Sequence, residues 1–123
     1  MRIKNKDLVH VINFLDGLSI KGLKSIHRSN ISNKLKQKLE NFSNAQRQLQ
    51  NEFKNDSNGH QEEFKKLLEQ NNTIDDTDSK VEIESLKSVL KPLVTEDSDH
   101  EFKDGDAIGV AVLYKSLNLG GDK

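Results

Sequence analysis

From Leu23 to Phe53 the chain sets apolar side chains at Leu23, Ile31, Leu35, Leu39, Phe42, Leu49 and Phe53, with His27 in the same series. Steps of three, four and seven residues put them on one stripe of an α-helix, because such positions lie above one another at 3.6 residues per turn. A helix of roughly 30 residues, rising about 1.5 Å per residue, is an arm of about 45 Å. A single stripe on so long a helix has to be covered by another element or by another copy of the chain. Material for that cover is scarce: 33% of residues are hydrophobic, 32% are charged, and the mean hydropathy is -0.77. With 5% aromatics, one Pro and no Trp, a β-sandwich is a poor fit. The expected class is therefore mainly α: a long helix hairpin, coiled-coil-like, with a small helical or α+β cap. A homo-oligomer is expected too, because the stripe Ile31, Leu35, Leu39, Phe42, Leu49 and Phe53 looks longer than a second helix can cover.

One domain is expected over residues 1–123, with a helical N-terminal portion over residues 1–70 that holds the long helix at about 22–54, and a small C-terminal portion over residues 81–119. Asn5 or Asp7 can cap a first helix with Leu8, Val11, Ile12 and Leu15 on its apolar face, and Gly17 is placed to end it. Asn55-Asp56-Ser57-Asn58-Gly59 reads as a turn, after which Phe64, Leu67 and Leu68 mark a helix folding back along the first. The tract from Gln70 to Lys80 is polar, with Ile74 its one apolar residue, and reads as a mobile loop. Val81-Glu82-Ile83 alternates like a short strand; Leu86, Val89, Leu90 and Leu93 then suggest a helix closed by Pro92. The segment from Ile108 to Leu117 fits either period, and the acids Asp104 and Asp106 before it favour a helix.

The net charge of -1 conceals a division: residues 1–54 carry +7 and residues 55–123 carry -8. Between Asp16 and Glu40 there is no acid, while Lys21, Lys24, Arg28, Lys34, Lys36 and Lys38 all fall there. Such a division admits an anionic ligand on the first half, or attraction between the halves. The acidic half argues against a nucleic-acid backbone as partner.

Catalytic patterns begin and break off. His100-Glu101 starts like a zinc-protease helix, but position 104 is Asp where the second His is required. Asp97-Ser98-Asp99 starts like a calcium loop, but Phe102 stands where the glycine belongs. His10, His27, His60 and His100 are dispersed, and no cysteine is available as a thiolate ligand or for a disulfide. No enzyme, metal or cofactor is expected. No apolar run approaches the roughly 20 residues of a membrane span, and residues 1–6 lack the apolar core of a signal peptide, so the cytoplasm is the expected address.

One constellation remains: Lys21, Lys24, Ser25, His27 and Arg28, around the opening of the long helix. His27 falls within the apolar stripe, Lys24 and Arg28 at its edge, and Ile26 points away from it. Buried charge needs a counter-charge. The partner is either internal (Asp75, Asp76, Asp78 or the Asp97–Glu101 acids) or an external phosphate or carboxylate held by Arg28 and the helix's first amides.

These residues resemble a family of short proteins of tailed phages and prophages of Gram-positive bacteria, known as a domain of unknown function. Ile3 to Leu8 match its opening I-K-N-K-D-L, and Lys21 to Arg28 its K-G-L-K-S-x-H-R stretch. Glu62 to Glu69 resemble its acidic second helix, and Glu101 to Leu117 its E-F-x-x-x-D-A turn and closing helix. The chain departs from the family at Asn55–Gly59, where a longer glycine-containing insert is usual, and at Ile26, where a basic residue is commoner. The resemblance implies a phage origin and action in the cytoplasm of an infected host, and no established activity. Two functions are consistent with it. One is a counter-defence or host-takeover binder that sequesters a nucleotide-like anion or blocks a host defence protein; the other is a virion or tail morphogenesis factor.

Overall fold

The computed structural model describes residues 1–94, 101–102 and 104–120. Strand β1 (Arg2–Lys4) and a 3-10 turn (Asn5–Asp7) lead into α1 (Leu8–Asp16), which buries Leu8, Val11, Ile12, Phe14 and Leu15 and stops at Gly17. Asp7 precedes α1 without a side-chain cap bond. Asn5 is instead a buried node, its Nδ2 donating to the Leu67 carbonyl at 2.7 Å.

The long helix α2 runs Leu23–Glu52, 30 residues, as the stripe dictates. Gly22 before it has φ 71, a conformation open to glycine at little cost. Helix α3 (Ser57–Glu69) begins inside the tract expected to be a turn. Asp56 accepts from the Gly59 amide at 3.0 Å and caps it, so the turn residues Ser57, Asn58 and Gly59 become a first helical turn.

The tract after α3 is not a loop throughout. Asn71–Thr73 form strand β2, antiparallel to β1, with Arg2 opposite Thr73 and Lys4 opposite Asn71. Asn72 Nδ2 donates to the Ile3 carbonyl and to Asn5 Oδ1, at 3.1 and 2.8 Å. Ile74 and Ser79 are buried, and Asp75 closes an Asx turn on the Thr77 and Asp78 amides. Val81-Glu82-Ile83 belongs to α4 (Lys80–Leu90) rather than to a strand. Ile83, Leu86 and Leu90 are its buried face, at helical steps of three and four, while Val81 is exposed. A 3-10 turn with Pro92 ends it. Residues 104–116 form α5 (Asp104–Ser116), the helical alternative.

Helix α1 lies between α5 and the first half of α2, and α4 packs on that half of α2 as well. The core is continuous and draws on both ends of the chain: Ile3, Leu15, Ile31, Leu35, Leu86, Leu90 and Leu113 are all fully buried. Gly109 makes the α1–α5 approach possible, since a Cβ there would meet the His10 carbonyl oxygen at 2.6 Å. The far half of α2 is covered by α3, with Phe42 and Phe64 stacked at 6.4 Å and His60 stacked on Phe64 at 5.8 Å. The molecule is mainly helical, a hairpin of α2 and α3 continuing from a core of α1, α4, α5 and the two-stranded sheet.

Candidate binding surface

Within the stripe, Ile31 and Leu35 are buried, and Leu39, Phe42, Leu49 and Phe53 are half-buried. Helices α1, α4 and α3 of the same chain supply that cover. The cover is complete over Ile31 and Leu35 and partial over the other four. Burial within this series starts at His27, which is half-buried, because Leu23 is 70% exposed.

Arg28 is the cation of the constellation that is tied down. Its Nη1 donates to the Leu15 carbonyl at 2.6 Å and to the Leu18 carbonyl at 3.0 Å, while Nη2 donates to Ser25 Oγ at 3.4 Å. Leu15 lies in the last turn of α1, where carbonyls lack helical partners and the helix dipole favours a positive charge. Within the fold, the charge of Arg28 is met by the Leu15 and Leu18 carbonyls and by the nearby Asp16 carboxylate. Asp75 is engaged with its own turn, and Asp76 accepts from the Met1 amino group at 2.9 Å. Asp97, Ser98, Asp99 and His100 lie outside the described residues.

The same joint holds a second anchor with no signature in the sequence. Ser32 Oγ donates to Asp16 Oδ1 at 2.7 Å and Lys36 pairs with Asp16 Oδ2 at 3.0 Å. The Ser32 hydroxyl, then Lys36 and Arg28, hold the Asp16 carboxyl below the usual carboxylate range. Only the step of four from Ser32 to Lys36 places both on one face of α2, and nothing local points that face at Asp16.

His27 is half-buried, and its Nδ1 has no hydrogen-bond partner. Across from it on α4, Glu82 is held below the ordinary range by its own backbone amide, then by Asn30, Lys34 and His27. Lys34 donates to Ser79 Oγ, which fixes the start of α4 on α2. Lys21 and Lys24, by contrast, are exposed, and neither has a carboxylate partner among the described residues. The inward cation pair expected at Lys24 and Arg28 is therefore split: Arg28 serves the fold and Lys24 faces solvent.

Between these two lysines the chain exposes Leu23 at 70% and, just beyond them, Ile26 at 54%. Two large aliphatic side chains three residues apart occupy one face of the first turn of α2. Three clefts formed by described residues are lined by none of Lys21, Lys24, His27 and Arg28. One, of about 340 Å³, is formed by Phe14, Leu18, Val89, Leu93 and Phe102 with Asp106 as its only charged residue, a poor place for an anion. A second sets Lys34 and Lys38 against Asp75 and Asp78, which offset them. The third is an open groove along α2 past Asn33, Gln37, Asn44 and Arg47. No group of three or more His, Asp or Glu side chains is placed to hold a metal among the described residues. No described helix is long and apolar enough to cross a membrane.

No family model, no curated protein and no solved structure matches this chain.

Proposed function

We propose that this chain is a non-enzymatic phage accessory protein that acts in the host cytoplasm by contacting and blocking a host protein. The observation behind this choice is the engagement of Arg28 by the Leu15 and Leu18 carbonyls, which takes away the cation on which capture of a small nucleotide-like anion would depend. Lys21 and Lys24 of the constellation face solvent, and the neighbouring Leu23 and Ile26 are exposed apolar side chains that a protein partner can bury. The phage setting comes from the resemblance at Ile3–Leu8 and Lys21–Arg28. A homo-oligomer can draw on Leu39, Phe42, Leu49 and Phe53, which one chain leaves half-buried.

Two measurements on the full chain test the proposal. Thermal-shift screening against nucleotides, cyclic nucleotides and nucleotide sugars should leave the melting temperature unchanged, since a ligand of the native state alone would raise it. Crosslinking in host cells that express the protein should join it to one host protein in stoichiometric amount. A nucleotide that stabilises the protein, with the effect lost in Arg28→Ala, would restore sequestration in place of blocking. The α2–α3 hairpin, which carries the Phe42–Phe64–His60 stack, favours the virion or tail morphogenesis role as the second reading. Ordered multimers without a host partner would select it.

A further inference from the structure

We infer that Asn58 is a site of slow self-modification, in which the Gly59 backbone nitrogen converts the Asn58 amide to an acid and the Asp56 cap of α3 governs the rate. Asn-Gly occurs once in the chain, and every other Asn precedes a residue that carries a side chain. The distinction matters because the reaction starts with the following backbone nitrogen reaching the Asn side-chain carbonyl carbon, and a Cβ on the following residue obstructs that approach. A bond forms from the Gly59 nitrogen to Asn58 Cγ, the Gly59 nitrogen gives up its proton, and the side-chain nitrogen leaves as ammonia. Water then opens the resulting cyclic imide at either carbonyl. The product at position 58 is an aspartyl residue, or an isoaspartyl residue whose chain continues through the side-chain carboxyl. Water is the one co-reactant, and nothing is oxidised or reduced. The reaction needs no partner and is independent of the binder reading above.

The fold supplies the gate. Asn58 is exposed to water and lies in the first turn of α3. The nucleophile is occupied there: the Gly59 amide donates its hydrogen to Asp56 Oδ1 at 3.0 Å. A carboxylate in that position makes a charge-assisted bond, keeps the proton on nitrogen and repels the negative charge that its loss would create. Helical backbone, with ψ near about −42°, also turns the Gly59 nitrogen away from the Asn58 side-chain carbon, whereas ring closure needs an extended ψ. The first turn therefore has to open before the imide can form. Little else resists opening, because Ser57 and Asn58 are exposed and α3 has no fully buried residue. The two products differ in consequence. An aspartyl residue puts an acid in the first turn, where the helix dipole favours it. An isoaspartyl residue lengthens the backbone just before His60 and Phe64, whose stack on Phe42 joins α3 to α2, so the hairpin loosens from its tip.

Peptide mapping by mass spectrometry on the full chain, aged at neutral pH in buffer and in urea, tests this. Asn58 should convert before the other Asn residues, and both products should appear. Conversion should run more slowly in the folded chain than in the chain unfolded by urea. Asp56→Ala removes the cap and keeps Asn-Gly, so it should speed conversion in the folded chain roughly fivefold, the shift in the opening equilibrium that loss of an N-cap brings. Asp56→Ser, which keeps a good cap, should stay near the parent. In urea all three proteins should convert at similar rates, which separates an effect on the gate from an effect on the chemistry. Hydrogen exchange should quicken across α3 in the isoaspartyl fraction, while Asn58→Asp should exchange like the parent. Another Asn converting first, a folded parent as fast as the unfolded chain, or Asp56→Ala no faster than the parent and Asp56→Ser overturns the inference.

Discussion

Gly109→Ala sets two effects of opposite sign against each other, and the structure says which wins. Within a helix interior, alanine is favoured over glycine by about 1 kcal/mol, and Gly109 is an interior residue of α5. The new methyl group, however, would stand 2.6 Å from the His10 carbonyl oxygen, 3.1 Å from the His10 carbonyl carbon and 3.1 Å from Phe14 Cβ. The nearest of these atoms is backbone of α1, which cannot rotate aside, so the two helices have to separate. Separation loosens Phe14 and Leu113, both buried in the core. Overpacking of this kind typically costs about 1–3 kcal/mol, and more where backbone must shift; after the helix-propensity gain, a net loss of about 1–2 kcal/mol is expected. For a domain of this size that corresponds to a fall in Tm of roughly 3–10 °C. Urea unfolding followed by far-UV circular dichroism should show a lower midpoint with an unchanged slope, the mark of altered stability without an altered unfolded state. Gly105→Ala is the matched control: its Cβ would lie 3.1 Å from His10 Nδ1, a side-chain atom that can give way, so that variant should be neutral or slightly more stable. A Gly109→Ala protein as stable as the parent would refute the close α1–α5 approach.

Arg28→Ala should destabilise the protein by about 1.5–3 kcal/mol, the usual worth of hydrogen bonds from a charged donor, with thermal melting as the assay; an equally stable variant would show that the end of α1 does not need the guanidinium. Lys4 and Lys6 hold Glu69 through ion pairs at 2.6 and 2.7 Å, which lowers its carboxyl from 4.5 to about 2. A depressed carboxyl contributes stability that is complete above its unfolded value, so this contribution should disappear as the pH falls from about 4.5 toward about 2. Glu69→Gln should flatten the dependence of Tm on pH in that window, and an unchanged profile would mean the pairs are fully screened by solvent. Hydrogen exchange should find the Ile74 and Ser79 amides protected, since they donate to the Met1 and Asp75 carbonyls at 2.8 and 3.0 Å. Fast exchange at Ile74 would return the tract to a mobile loop.

Helix α2 is legible from the chain alone because its apolar period repeats over many turns, and a period that long fits only one geometry. Pro92 closes its helix for an equally local reason, since it cannot continue a helix. Val81-Glu82-Ile83 misleads because three residues cannot separate a period of two from one of 3.6; the continuation through Leu86 and Leu90 decides it. Strand β2 leaves no trace in the sequence, because Asn71-Asn72-Thr73 has no apolar alternation and its partner β1 lies some 69 residues earlier. Of the candidate surface, the acid-free run around Lys21 and Lys24 is readable as composition. The division of its cations is not: Arg28 turns inward because the end of α1 is there to receive it. Leu23 obeys the same spacing as Ile31 and Leu35, yet it is exposed and they are buried. Spacing says which side chains share a face of a helix; only the packing of α1 and α4 decides how far along α2 that face is covered.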